Sequence, residues 1–158
     1  MPAEENIKQE LISRFPFLEG KVNILRSRRI SLEIDKQNFP EVFDFAVKSL
    51  KFGMLSAITG LDEGENLGFI YHLAREDGNV LNIKISAPKA NPAIGSVTDY
   101  FPSADIYERE VVDLFGAKVE GLAQGSRYPL TDDWPKGEFP LRKDWKVKDD
   151  SVKSTPEV

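Results

Sequence analysis

The stretch EREVVDLFG, Glu108 to Gly116, places four charged side chains, Glu108, Arg109, Glu110 and Asp113, within about two turns of a helix. With Asp105 one turn earlier, Asp105, Arg109 and Asp113 fall at i, i+4 and i+8 along one face. Arg109 between two carboxylates keeps both ionised, the opposite of the raised pKa a general acid requires. Glu110 lies three positions after Tyr107 and four before Leu114. It is therefore expected to border the apolar stripe of Tyr107, Val111, Leu114 and Phe115, with Glu108 pointing elsewhere. Two catalytic carboxylates of the glycosidase kind must converge across a cleft from separate elements, which one short helix does not provide. The cluster reads either as a solvated charged face or as a docking helix whose charges a partner matches. If Glu110 meets a cation from a covering segment, Glu110→Ala is expected to cost ~3–5 kcal/mol; on a solvated face it costs under ~1 kcal/mol.

Other candidate chemistry is thinner. The chain has no cysteine, which excludes iron–sulfur ligation, thiolate zinc sites, a thiol nucleophile and disulfides. Its single histidine, His72, sits in the alternating run GFIYHLARE, where a lone imidazole is more often a strand residue facing solvent or hydrogen-bonded to a neighbour than a metal ligand. No serine occupies a GxSxG setting. Asp132 and Asp133 in TDDWP could offer carboxylates to Mg²⁺, but without a phosphate loop or further acids they read as turn residues. GLDEGENLG carries acids that would repel phosphate.

The elements that must position these residues follow from periodicity. Pro2 suits a first helical position, and Ile7, Leu11 and Phe15 recur at spacing four up to Pro16. VNIL (22–25) and RISLEI (29–34) alternate as strands. NFPEVFDFAVKSLK is a second helix, with Asn38 as a possible cap and Phe39, Phe43, Ala46, Val47 and Leu50 as its apolar stripe. MLSAITGL (54–61), LGFIYHLARE (67–76) and NVLNIKISA (79–87) form a meander whose last turn is Asp77-Gly78. A loop over 88–102 leads to a third helix, capped by Ser103 and stopped by Gly116. The order predicts an α+β fold: a mixed sheet of about five strands with helices on one face, over residues 1–116. From 117 to 158 no period is sustained, while Tyr128, Leu130, Trp134, Phe139, Leu141 and Trp145 alternate with Arg127, Arg142 and prolines. This pattern suits an extended arm lying on another surface, with wrapping of its own domain as the alternative. The last segment, KDDSVKSTPEV, is polar and expected to fray.

Composition narrows the classes further. With 21 basic against 26 acidic residues and a net charge of −5, no nucleic-acid footprint is present. The acidic N-terminus lacks the form of a signal peptide and no stretch approaches eighteen apolar residues, so a soluble, cytoplasmic chain is expected, reaching a membrane only through partners.

EREVVDLFG followed by SRYPLTDDWPKGEFPLRKDW, and preceded by NPAIGSVTDYFPSADIY, resembles the signature and tail of the 30 kDa subunit family of respiratory complex I over roughly 54–145. Counterparts of that family occur in membrane-bound energy-converting [NiFe] hydrogenases and formate hydrogenlyases. The resemblance implies a subunit without a cofactor or redox step of its own. Such a subunit packs against a hydrogenase-large-subunit-like (49 kDa-type) chain and lies beside an iron–sulfur small subunit, peripheral to the cytoplasmic membrane. Iron–sulfur clusters and the nickel–iron or quinone site belong to those partners. By the same resemblance Glu108, Arg109, Glu110 and Asp113 stabilise the fold and its contacts, and Arg127, Trp134, Pro140, Leu141 and Arg142 belong to a partner-wrapping arm. Many members carry a Gly-His-Pro step after the acidic helix; here the region reads GLAQGSRYP. That departure, the short chain and the DDWPKGEFPLRK wording lean toward the hydrogenase branch over complex I proper. Two readings of other classes stand beside it: a small soluble enzyme using carboxylates with His72 as acid and base, and a monomeric binding module.

Overall fold

The computed structural model describes residues 1–147; the polar tail expected from Lys148 onward lies outside the described residues. In chain order the elements are α1 (Ala3–Arg14), a 3₁₀ turn (Pro16–Leu18), β1 (Val22–Arg26), β2 (Arg29–Glu33), α2 (Phe39–Lys48), β3 (Met54–Asp62), β4 (Asn66–Ala74), β5 (Val80–Pro88), β6 (Ala93–Gly95), α3 (Ala104–Phe115) and β7 (Lys118–Glu120). The first five strands form one mixed sheet in the order β1-β2-β5-β4-β3. β1–β2, β3–β4 and β4–β5 are antiparallel hairpin neighbours, and β2 pairs with β5 in parallel. The α+β fold expected from periodicity is the one observed.

Alternation decides which face is covered. Leu67, Phe69, Tyr71 and Leu73 of β4 are fully buried beside Leu81, Ile83 and Ile85 of β5 and Ile30 and Leu32 of β2. The intervening Ser31, His72, Asn82 and Lys84 are only half-buried. Helix α1 contributes Ile7 and Leu11 to the core, α2 contributes Phe39, Val42, Phe43 and Ala46, and α3 contributes Ala104, Val111 and Phe115. Each large apolar side chain buried in this way stabilises the fold by roughly 1.5–3 kcal/mol relative to exposure. Phe39 stacks at 4.5 Å on Tyr71, tying α2 to the sheet. Helix α3 approaches β3 where residue 60 is glycine: a Cβ there would meet the Phe115 ring at 2.5 Å.

Several local expectations are corrected. Helix α1 begins at Ala3, with Pro2 one position outside it. Neither Asn38 nor Ser103 caps its helix through a side-chain hydrogen bond; both have right-handed helical backbone. The chain enters each helix through a tight turn that already engages the first amides, Asn38 N–H to Asp35 O at 3.0 Å in one case and Ala104 N–H to Phe101 O at 2.9 Å in the other. Gly116 does end α3 in the left-handed conformation, φ 75° and ψ 29°. The two segments read as loop each hold a short strand, β6 and β7, which pair in parallel. Three residues carry too little periodicity to announce a strand.

Candidate functional site

Helix α3 divides its charges between interior and surface, in a different phase from the one expected. Ala104, Glu108, Val111 and Phe115, at spacings of four, three and four, form its buried stripe. Glu108, expected to point away from the stripe and to serve a partner surface, is instead fully buried. Its carboxylate accepts from Val97 N–H and from Ser96 Oγ, both at 2.7 Å, and so grips the loop that follows β6. Burial pushes its pKa up, while the Val97 and Ser96 hydrogen bonds pull the other way. Glu110, expected at the stripe, is half-buried and has no hydrogen bond or ion pair among the described residues. Close by, the Tyr71 hydroxyl is buried without a hydrogen-bond partner among the described residues. Burial first, and then the charge of Glu108, raise its pKa above the ordinary phenol range.

The surface charges form two separate grips rather than one ladder. Arg109 binds Asp105 through two nitrogens, each at 2.8 Å, and its Nη2 also donates to the Ala123 carbonyl. Asp113 does not share Arg109. It accepts from Arg127 Nε at 3.3 Å and from Leu130 N–H at 3.1 Å, and Arg127 donates onward to the Trp134 carbonyl. Asp113 is 7% exposed, so its carboxylate is spent within the chain and not on an outer surface.

Beyond Gly116 the chain doubles back over the end of α3. Arg142 Nε donates to the Phe115 carbonyl at 2.6 Å and Leu141 N–H to the Leu114 carbonyl at 3.1 Å. A Cβ at residue 116 would meet the Phe139 ring at 2.5 Å, so glycine serves both the left-handed helix end and this close approach. Trp134 and Trp145 stack with centroids 5.7 Å apart, and both indole N–H groups donate to Glu138. Pro140 is half-buried, while Tyr128, Leu141 and Val147 are exposed.

One clasp was missed in the sequence. Asp62, at the end of β3, accepts from Lys89 Nζ at 2.7 Å, from Gly64 N–H at 2.9 Å and from Lys143 N–H at 2.7 Å. Lys89 also pairs with Asp144 at 3.0 Å. Burial works against the Asp62 charge, but Lys89 and the two amides outweigh it and bring the pKa down to about 2. Asp62 and Lys143 lie 81 residues apart, beyond the reach of any local sequence signal.

The remaining candidates are dispersed. His72 sits on the half-open sheet face, with Nδ1 2.8 Å from Asn82 Oδ1 and Nε2 2.8 Å from Thr59 Oγ1, so both ring nitrogens are engaged by neutral groups. Asp132 and Asp133 are exposed. No group of three or more metal-ligating side chains gathers among the described residues. No helix among them is long and apolar enough to cross a membrane.

Comparison with known proteins gives one family. The chain is 31% identical to the membrane-bound hydrogenase subunit beta of Pyrococcus furiosus, over 98% of this chain and 93% of that one. It is 33% identical to an F(420)H(2) dehydrogenase subunit of Methanosarcina mazei, over 88% of this chain and 89% of that one. A chain in the structure of a membrane-bound sulfane sulfur reductase, an archaeal respiratory membrane complex, superposes with a TM-score of 0.80 at 26% identity, covering 90% of this chain and 85% of that one. The family model of the respiratory-chain NADH dehydrogenase 30 kDa subunit matches residues 32–151. By the family-model match over most of its length and by these relatives, the chain belongs to the 30 kDa subunit family of respiratory-chain NADH dehydrogenase.

Proposed function

We propose that this chain is a structural, non-catalytic subunit of a membrane-associated multi-subunit oxidoreductase, docking through the outer side of residues 117–147. The observation that carries this is the two-sidedness of that segment. Its inner polar groups are fixed to α3 and β3 by Arg127, Arg142 and the Lys143 amide, while Tyr128, Leu141 and Val147 stand exposed. Apolar side chains on a segment whose backbone is already positioned need little further ordering to be covered by a partner. Trp134 braces the same segment through Arg127 and Glu138, Arg109 ties it to α3 through the Ala123 carbonyl, and the half-buried Pro140 and Glu110 complete the proposed docking surface.

The relatives support the structural role. They are named for a hydrogenase, an F(420)H(2) dehydrogenase and a sulfane sulfur reductase complex, and a chain common to all three is not the part in which their reactions differ. The proposal extends to the partners: a hydrogenase-large-subunit-like chain against the arm and an iron–sulfur small subunit beside it. The metal clusters reside in them, the membrane subunits are reached indirectly, and the complex faces the cytoplasm. The hydrogenase type is the reading adopted, supported by 31% identity to the hydrogenase beta subunit and by the DDWPKGEFPLRK wording of the arm.

Affinity purification of the chain from its native host, with the co-purifying chains identified by mass, tests the assignment. A large subunit with two CxxC pairs is expected. Hydrogen exchange should slow at 117–147 in the complex relative to the isolated chain. Turnover by the isolated chain, or recovery without any oxidoreductase subunit, overturns the proposal.

A further inference from the structure

A cavity of about 320 Å³ lies between the start of α2 and β6. Phe39, Pro40, Phe43, Ile94, Val97 and Tyr100 contribute its apolar walls. Those walls are braced: Phe43 and Tyr100 meet edge-on at 5.3 Å, and the Tyr100 hydroxyl donates to Asp44 at 2.8 Å. Strand β6 pairs with β7 alone, so its second edge carries no strand among the described residues. Lys118 N–H donates to Pro92 O, and Ser96 N–H donates to Glu120 O. Strand alternation therefore turns the backbone groups of Ala93 and Gly95 the other way. On that side the Ala93 N–H already donates to Asn91 O at 2.9 Å and the Ala93 carbonyl accepts a 3.3 Å hydrogen bond from Lys36 Nζ, which leaves the backbone of Gly95 as the open part of the edge.

Gly95 is the second observation. It is exposed, its φ is outside the left-handed region, and nothing lies within 4 Å of where its Cβ would be. Neither backbone conformation nor crowding within the chain calls for glycine, and at the end of β6 the missing side chain leaves room for another backbone to approach closely. The rim carries Lys36 and Glu120, neither in an ion pair among the described residues.

We infer that β6 and this cavity form a strand-addition site for an extended segment of another polypeptide. Its backbone runs parallel to β6, pairing with Gly95 and taking the Ala93 carbonyl from Lys36; one leucine-sized or phenylalanine-sized side chain fills the cavity, and an acidic and a basic residue flank that anchor to meet the released Lys36 and Glu120. An apolar cavity alone could hold any small hydrophobic molecule; the open backbone groups of Gly95 beside it select a peptide.

The probe is a peptide of sequence Thr-Glu-Val-Leu-Val-Lys-Thr with blocked ends, added to the ¹⁵N-labelled full chain at up to ~1 mM, where millimolar binding is still detectable. Saturable shifts are expected at the Gly95 amide and beside Phe39 and Phe43. Gly95→Val should weaken binding at least about tenfold without lowering the melting temperature, since valine favours strand geometry and has room there. The same peptide N-methylated along its pairing edge should also bind at least about tenfold more weakly, an arm that uses the unaltered protein. Absence of saturable shifts at Gly95 overturns the inference. So does binding indifferent to both Gly95→Val and N-methylation, which would leave only an apolar pocket. These outcomes do not depend on which complex the chain joins.

Discussion

Strands β4 and β5 set Leu67, Phe69, Tyr71 and Leu73 against Leu81, Ile83 and Ile85, none more than 1% exposed, whereas the segment from Leu122 to Val147 contains no buried residue. The body is held by apolar burial, which is non-directional and spread over some thirty side chains. The segment folded over α3 is held at a few points by charge-assisted hydrogen bonds: Arg127 to Asp113, Arg142 to the Phe115 carbonyl and the Lys143 amide to Asp62. Losing one contact of the first kind lowers the stability of the whole body, while losing one of the second frees a stretch of chain. The segment can therefore loosen while the body stays folded.

The largest effect should come from the body. Phe43→Ala removes a ring that touches Phe39, Tyr71, Tyr100 and Phe101 and should cost ~3–5 kcal/mol of global stability by urea unfolding. A loss under ~1 kcal/mol would show that the core repacks and that the contrast is overstated.

Glu108→Ala strands the Val97 amide and should cost ~2–3 kcal/mol. Glu108→Gln can keep both hydrogen bonds, since its carbonyl accepts from Val97 and its amide donates to Ser96, and should stay within ~1 kcal/mol of the parent. Equal losses in the two variants would mean that the negative charge, and not the hydrogen bonding, is what the fold needs.

Asp62→Ala should act on the segment and on the β3–β4 turn, where Gly64 loses its acceptor, at ~2 kcal/mol. Exchange at 141–145 should quicken while β4 and β5 keep their protection; global unfolding at the same rate would erase the distinction between the two regions. Acid should do the same to the parent protein. The folded pKa of Asp62, about 2, lies below the ordinary 3.8, so its contribution is complete above pH ~4 and lost as pH falls toward 2. Glu108 has the opposite sign: with its folded pKa raised, its ionised form opposes folding and protonation on acidification relieves that cost. Limited proteolysis between pH 5 and 2 should thus cut the segment before the body.

The smallest effect is expected at Tyr71→Phe. The substitution removes a buried hydroxyl without a partner among the described residues and should change stability by ~0–1 kcal/mol in the stabilising direction. A clear destabilisation would mean that this hydroxyl has a partner.

The sequence displayed the body well, because a half-buried sheet writes its alternation directly into GFIYHL and NIKISA. The site was legible in composition but not in phase. Counting the stripe of α3 from Tyr107 put Glu110 at its border; counting from Ala104 would have run through Val111 and Phe115 and left Glu108 in the one remaining inward position. The Asp62 clasp and the β6–β7 pair join residues far apart in the chain through elements too short or too polar to leave a period, and so were not legible.

The parallel ladder between β2 and β5 is the seam where two locally built leaves of the sheet meet: a helix–hairpin–helix leaf from the first fifty residues and a three-strand meander after them. A chain severed in the short connection around Lys51 would yield two fragments, each with an open edge that only the other fits. Noncovalent reassembly of such halves would be governed by that one ladder and by the apolar helix faces that close over it.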